Sequence, residues 1–201
     1  MSKYIQEMQN KYSCGHEQRE KRPYLVVYEN NDYILGFPFT TQILKHRSSH
    51  KNPTISVGNL NGQVMIDQLQ FIYKIDFTHL LPTQISNIDY QKVISSFISQ
   101  IIKANENPNK DEPNCPSFYD IISFAHNIPK LSNINKWLVV SSKHFNVYAT
   151  MCFIVPYDDA NLDFSYLHSI DWKSRKVQIL GNANYTNQTI QTLQQDIRSK
   201  F

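Results

Sequence analysis

The sequence predicts a mainly β protein with a helix closing each half, an α+β chain of two tandem units. Three observations carry this: a strand pattern that recurs, a proline- and asparagine-rich segment between its two copies, and helical periodicity at the end of each copy. The recurring pattern starts at Tyr24 as YLVVYENNDYILGFPFT and returns, 113 positions later, at Trp137 as WLVVSSKHFNVYATMCFIVPYDD. Each copy is an aromatic followed by Leu-Val-Val, a polar turn, and a second apolar run ending at Pro38 or Pro156, which predicts two strands joined by a hairpin. Further on, QFIYKIDF (70–77) lines up with HSIDWKSR (168–175) at an offset of 98, so the first copy holds the longer middle loop, by about 15 residues.

The elements follow in order. SKYIQEMQNKY fits a short edge strand or a helical turn, and the first hairpin and the 70–77 strand come next. Asn87 or Ser86 can cap a helix over 88–103, where Val93, Ile94, Phe97, Ile98 and Ile101 share one face. The stretch ANENPNKDEPNCP (104–116) has three prolines, four asparagines and no apolar period, so it is expected to be a linker between a unit at 1–103 and a unit at 117–201. In the second unit SFYDIISFAHNIP (117–129) predicts an opening strand, and Asn184 or Thr186 can cap a final helix bearing Ile190, Leu193 and Ile197.

Composition narrows the class. With 201 residues, 41% hydrophobic, 12% aromatic and only 18% charged, the chain can fill a core and is not expected to be disordered. Net charge is +3, and all of it lies in residues 1–104, with 11 basic and 8 acidic side chains against 9 and 9 thereafter. Three widely spaced cysteines without a CxxC pair indicate neither a disulfide framework nor a zinc knuckle. No run approaches the length of a spanning helix and MSKYIQEMQNKYS lacks an apolar leader core, so the expectation is a cytoplasmic protein with no membrane partner.

Two segments of the first half gather reactive or polyanion-binding side chains. CGHEQREKRP (14–23) contains His16, Glu17, Arg19, Lys21 and Arg22, and FPFTTQILKHRSSHK (37–51) contains Thr40, Thr41, Lys45, His46, Arg47 and Lys51. In a hairpin, Arg22 near the start of one strand and Thr40 near the end of the other fall at the same end of the sheet. A guanidinium fork and hydroxyls together suit a phosphodiester, through paired donors to the non-bridging oxygens. Each residue also has a plainer role: a solvated rim for Arg22, β-propensity for the threonines, a turn for Asp67 and a solvated loop for 45–51. His46 and His50 lack helical spacing and a nearby carboxylate, which argues against a metal site. Cys14 beside His16 is poorly placed to use it as a base.

KRPYLVV, FPFTTQ and the loop ending in VMIDQLQFI resemble the PemK/MazF toxins, with an Arg-Pro before an apolar strand, a threonine turn after a proline, and Asp-Gln before another strand. In the second half YDIISF and SIDWKSRKVQILGNANYTNQTIQTLQQDI resemble the family's first strand and its last strands with the C-terminal helix. The resemblance implies two tandem SH3-like barrels, a fused pseudo-dimer, and a toxin that cleaves single-stranded RNA without metal or cofactor and is blocked by an antitoxin protein. It implies catalytic roles for Arg22, Thr40, Thr41 and Asp67. His16 leads the candidates for general base because a free imidazole titrates near neutrality, and Arg19, Lys21, Lys45, His46, Arg47 and Lys51 are expected along the RNA. The second unit has Asn135 and Lys136 for Arg-Pro, Asp158 and Asp159 for the threonines, and Ser165 for the aspartate, so it is expected to be inactive. The alternative on the same fold is a non-catalytic, CcdB-like binding toxin or adaptor.

Overall fold

Backbone pairing in the first half begins with a short turn held by one side chain. A computed structural model of the chain describes residues 4–8, 21–42, 52–74, 83–101, 112–125, 128, 131, 133–158, 161–162, 164–184, 192, 195–197 and 199. Asn30 Oδ1 accepts from the backbone N–H groups of Asp32 and Tyr33, both at 2.9 Å, turning β2 (Arg22–Glu29) into β3 (Tyr33–Thr40). β3 is buried from Tyr33 to Phe39, so both its faces are packed and it reads as one apolar run. β1 (Tyr4–Met8) lies beside β2, and β7 (Thr83–Gln84) lies beside β1. SKYIQEM is therefore a strand inside the sheet, which settles the choice between strand and helical turn for its described residues.

The other edge of β3 is shared. Its first residues, Tyr33 to Gly36, pair with β6 (Gln70–Tyr73), and its last two, Phe39 and Thr40, pair with β5 (Leu60–Val64). β5 forms a hairpin with β4 (Thr54–Val57), which fills the longer loop expected in the first copy. The strand order is β4-β5-β3-β2-β1-β7 with β6 on β3, and every pairing is antiparallel, curling toward a nearly closed barrel.

The second half repeats this plan in order and in register. Its strands are β8 (Asp120–Ser123), β9 (Trp137–Val139), β10 (Met151–Asp158), β11 (Asn161–Leu162), β12 (His168–Asp171) and β13 (Gln178–Asn182), in the order β11-β10-β9-β8-β13 with β12 on β10. Tyr24 pairs with Pro38 in the first sheet and Trp137 with Pro156 in the second. Gly36 pairs with Gln70, and Ile154 with His168. Thr40 pairs with Gln63, and Asp158 with Asn161. A one-residue slip would reverse which face each side chain occupies, so agreement at all three places fixes which residues correspond.

One element departs from the expected hairpin. Between β9 and β10 the chain forms α2 (Lys143–Ala149), where the sequence predicted a plain polar turn. Ser142 Oγ caps it by accepting from Phe145 N–H at 3.2 Å, and Thr150 ends it in the left-handed region at φ 56°. The helical turn brings buried Asn146 back to Ser141 Oγ, at 2.6 Å, and its amide donates to Pro116 O at 2.7 Å. Cys115, one residue earlier, is buried with Trp137 and Trp172. Residues 112–116 of the expected linker thus pack into the second half.

α1 (Asn87–Ile101) follows the expected periodicity and buries Val93, Ile94, Phe97 and Ile98 together with Tyr90. Ser86 Oγ accepts from Asp89 N–H at 3.1 Å and donates to its carboxylate at 2.8 Å, so Ser86 is the cap. Thr192, residues 195–197 and Ser199 are helical, and Ile197 is buried. Asn184 has φ 50°, and Thr186, Ile190 and Leu193 lie outside the described residues.

One apolar cluster runs through both halves. Phe97 makes edge contacts with Phe37 and with Phe153, each at 5.1 Å between ring centres. The corresponding strands β6 and β12 also meet: Ser169 N–H donates to Leu69 O at 2.9 Å, its hydroxyl donates to the same oxygen at 2.6 Å, and Phe71 N–H donates to His168 Nδ1 at 3.0 Å. Among the described residues no helix is long and apolar enough to cross a membrane.

Candidate functional site

Alternation along the strands decides which side chains can meet. In β2 and β3, Leu25, Val27, Leu35, Phe37 and Phe39 enter the shared core, while Tyr24, Val26 and Ile34 form a separate cluster with Tyr4, Met8 and Ile72 on the other face. By the same parity Arg22 and Thr40 belong to that second face. Two residues beyond the Tyr24–Pro38 pair they also stand at one level, Arg22 paired with Met8 on one side and Thr40 with Gln63 on the other. Arg22 and Thr40 are thus at the same end and on the same face of one sheet, both half-buried.

The Thr40 hydroxyl accepts from Gln42 N–H at 3.2 Å, which occupies a lone pair and leaves the hydroxyl proton to be donated. Thr41, next along the chain, is exposed. β5 approaches closely enough that Gly62 is required: a Cβ there would lie 2.5 Å from Phe39 Cζ, and closer still to Thr40 O. Leaving β5, Met65 N–H donates to Pro38 O at 2.8 Å, and Gln68 N–H to Met65 O at 3.0 Å. The turn that carries Asp67 is thereby tied to the residue two before Thr40, and Asp67 is fully buried.

A buried polar group lines the same face. Tyr24 donates to Gln70 Oε1 at 2.9 Å, and Gln70 has no exposed surface. Burial pushes the Tyr24 phenol well above its ordinary value, opposed by the charge of the Arg22 guanidinium. Gln6, paired with Tyr24, is also buried. Gln68 is fully buried too, and among the described residues neither its amide nitrogen nor its amide oxygen has a hydrogen-bond partner.

Of the residues singled out from sequence, the structure brings together Arg22, Thr40 and the Asp67 turn, with Thr41 at the rim. Lys21 is exposed and pairs with Glu7 at 2.9 Å. His16, Arg19, Lys45, His46, Arg47 and Lys51 lie outside the described residues. Sequence reasoning singled out neither Gln6 nor Gln70, read Gln68 only as the second residue of the Asp-Gln pair, and gave Tyr24 no role beyond opening its strand. The available signal was a glutamine at an alternate position of an otherwise apolar strand, as in YIQEM and QFIY.

The corresponding place in the second sheet is different in kind. Register puts Asn135 and Asp158 at the level of Arg22 and Thr40, both exposed. Ile122 pairs with Trp137 where Gln6 pairs with Tyr24, and His168 replaces Gln70. This face closes as an apolar cluster around Trp137, Cys152 and Ile170. A fork and hydroxyl can clamp a phosphodiester; an amide and a carboxylate, which repels the anion, cannot.

Among the described residues no three His, Cys, Asp or Glu side chains are grouped so as to hold a metal ion. No family model matches the sequence, and no curated protein matches it.

Proposed function

We propose that the chain is the toxin of a toxin-antitoxin pair, a metal-independent endoribonuclease of PemK/MazF type. Its two halves are tandem SH3-like barrels fused as a pseudo-dimer, with the working site in the first. The observation that carries this reading is the placement of Arg22 and Thr40 at one level on one sheet face, with Asn135 and Asp158 at the matching level of the other. The repeated strand order and register support the duplication.

In the reaction the substrate's 2′-OH attacks the adjacent phosphorus. A P–O2′ bond forms, the P–O5′ bond breaks, and the departing O5′ takes a proton from water, so that a 2′,3′-cyclic phosphate and a 5′-hydroxyl result. Arg22 stays protonated and donates to the non-bridging oxygens as charge builds on them, because guanidinium does not release its proton near neutral pH. Thr40 donates its free hydroxyl proton to the same group. His16 leads the candidates for the base that takes the 2′ proton, with Glu17 and His46 after it, and Asp67 ranks last because it is fully buried. RNA and an antitoxin protein are the partners, and the cytoplasm is where they meet.

The test is single-stranded RNA incubated with the purified chain in excess EDTA. Cleavage is expected, and Arg22→Ala or Thr40→Ala should each slow it by about 100-fold, the loss of one transition-state donor, without lowering the melting temperature much. Asp158→Ala should cut at the normal rate. Intact RNA together with inhibited gyrase supercoiling would overturn the nuclease reading in favour of a CcdB-like binding toxin.

A further inference from the structure

A cavity of about 510 Å³ lies where the two halves meet, far from Arg22 and Thr40. Its walls include Asn31 and Asp32 of the β2–β3 turn, Tyr33 and Phe71 of the first sheet, Lys74, and Tyr166 of the second half. Tyr33 opens β3 and Thr40 ends it, so the two places are about 23 Å apart at the rise of an extended strand. The volume falls in the range of small-molecule sites and is ample for a purine nucleoside.

Three rings form a near-parallel set in this wall. Tyr33 stacks on Phe71 at 4.1 Å and on Tyr166 at 5.7 Å, with interplanar angles of 26° and 28°. Tyr33 donates to Ser165 O at 2.9 Å across the junction, which fixes the set. Tyr33 and Phe71 are buried and Tyr166 is half-buried, so Tyr166 offers the accessible ring.

The charges around the rings favour a neutral group stacked against them, with any phosphate of the ligand left in solvent. Lys74 Nζ is held by Glu29 at 2.6 Å, and Glu29 also accepts from Tyr4 at 2.9 Å, so the ammonium is already compensated. Asp32 is exposed, and its backbone is pinned at both ends: its N–H donates to Asn30 Oδ1 at 2.9 Å, and its carbonyl accepts from Lys74 N–H at 3.0 Å. A fixed, accessible carboxylate beside an aromatic face favours a flat, neutral ring with two adjacent N–H donors. Guanine has that pair at N1 and N2. Adenine and cytosine each set one amine beside an acceptor nitrogen that the carboxylate repels, and uracil has a single N–H between two carbonyls.

We propose that this cleft binds a guanine base, stacked on Tyr166 with its N1–H and N2–H donated to Asp32. The base belongs either to a free guanine nucleotide or to an unpaired residue of an RNA strand. The proposal stands on the cleft alone and does not depend on RNA cleavage at Arg22.

Calorimetric titration of the full chain with guanosine and adenosine 5′-monophosphates, and with two short single-stranded oligonucleotides, with and without one guanine, tests it. Guanosine monophosphate binding about tenfold or more tighter than the adenosine compound identifies the free nucleotide as a ligand. The same preference seen only between the oligonucleotides identifies a strand residue. In either case Asp32→Asn should remove the preference with an unchanged melting temperature, and Tyr166→Ala should weaken binding about tenfold or more at a temperature well below its own melting range, while Tyr166→Phe keeps it. Equal affinity for both bases, a preference that survives Asp32→Asn, or no binding at millimolar ligand in any arm would overturn it. Asp32→Asn is expected to leave cleavage by the Arg22 site intact, so the two readings fail separately.

Discussion

Replacing Gly62 with alanine tests the contact that holds Thr40 in place. The new Cβ would lie 2.5 Å from Phe39 Cζ, 2.9 Å from Phe39 Cε2 and nearer still to Thr40 O. The Phe39 ring is only 2% exposed and has no room to swing, and the Thr40 oxygen is backbone. Relief must therefore come from β5 lifting away from β3, at the two pairs Phe39–Val64 and Thr40–Gln63. Overpacking of this kind costs about 1–3 kcal/mol. For a chain of this size that lowers the melting temperature by about 2–12 °C. Gly181→Ala is the matched control, because nothing lies within 4 Å of a Cβ there, and its effect should stay within about 0.5 kcal/mol. Calorimetry or circular dichroism reads both. RNA cleavage well below the melting range should fall further for Gly62→Ala than for Gly181→Ala, since the displaced residue is Thr40. A Gly62→Ala protein that melts with the parent would refute the close approach of β5 to β3.

Three other outcomes are expected. Gln68→Met should raise stability by about 1–3 kcal/mol in urea unfolding, because it replaces a fully buried amide that lacks partners among the described residues. His168 is held at about 3 by burial, and further by the Arg175 charge, so the unfolded chain takes up a proton near 6.5 that the folded one refuses. Its contribution is complete above about 6.5 and is lost as pH falls toward 3, by up to about 1.4 kcal/mol per unit, and His168→Gln should flatten that part of the stability profile. Burial pushes the Cys115 thiol up to about 12, with smaller opposing effects of neighbouring charges, and Cys152 is buried as well. Both should resist alkylation in the native chain and react in denaturant, as mass spectrometry will show.

Local pattern revealed much of the fold because burial leaves a periodic mark. YLVVYENNDYILGF declares two strands and a turn, and the 3.6-residue spacing from Val93 to Ile98 declares α1. The 138–151 stretch misleads: LVVSSKHFNVYATM reads as strand, turn, strand, yet Asn146 finds its partners at Ser141 and Pro116 only if the chain winds into α2. That information is non-local and invisible in a window. Arg22 and Thr40 were legible as a pair because hairpin geometry is local. The glutamines were not, because only the third strand, β6, brings Gln70 within reach of Tyr24 across 46 residues.

The sequence by itself determined the main strand runs, the periodicity of α1 and the contrast between Arg22 with Thr40 in the first copy and Asn135 with Asp158 in the second, since all three are written in neighbouring residues. Tertiary structure alone decided the rest. Register across strands distant in sequence brought Gln70 to Tyr24, closed the matching face of the second sheet with Trp137 and Ile122, and assembled the aromatic cleft from Tyr33, Phe71 and Tyr166. A contact between residues far apart in the chain depends on how whole sheets pack, and no short stretch of sequence carries that.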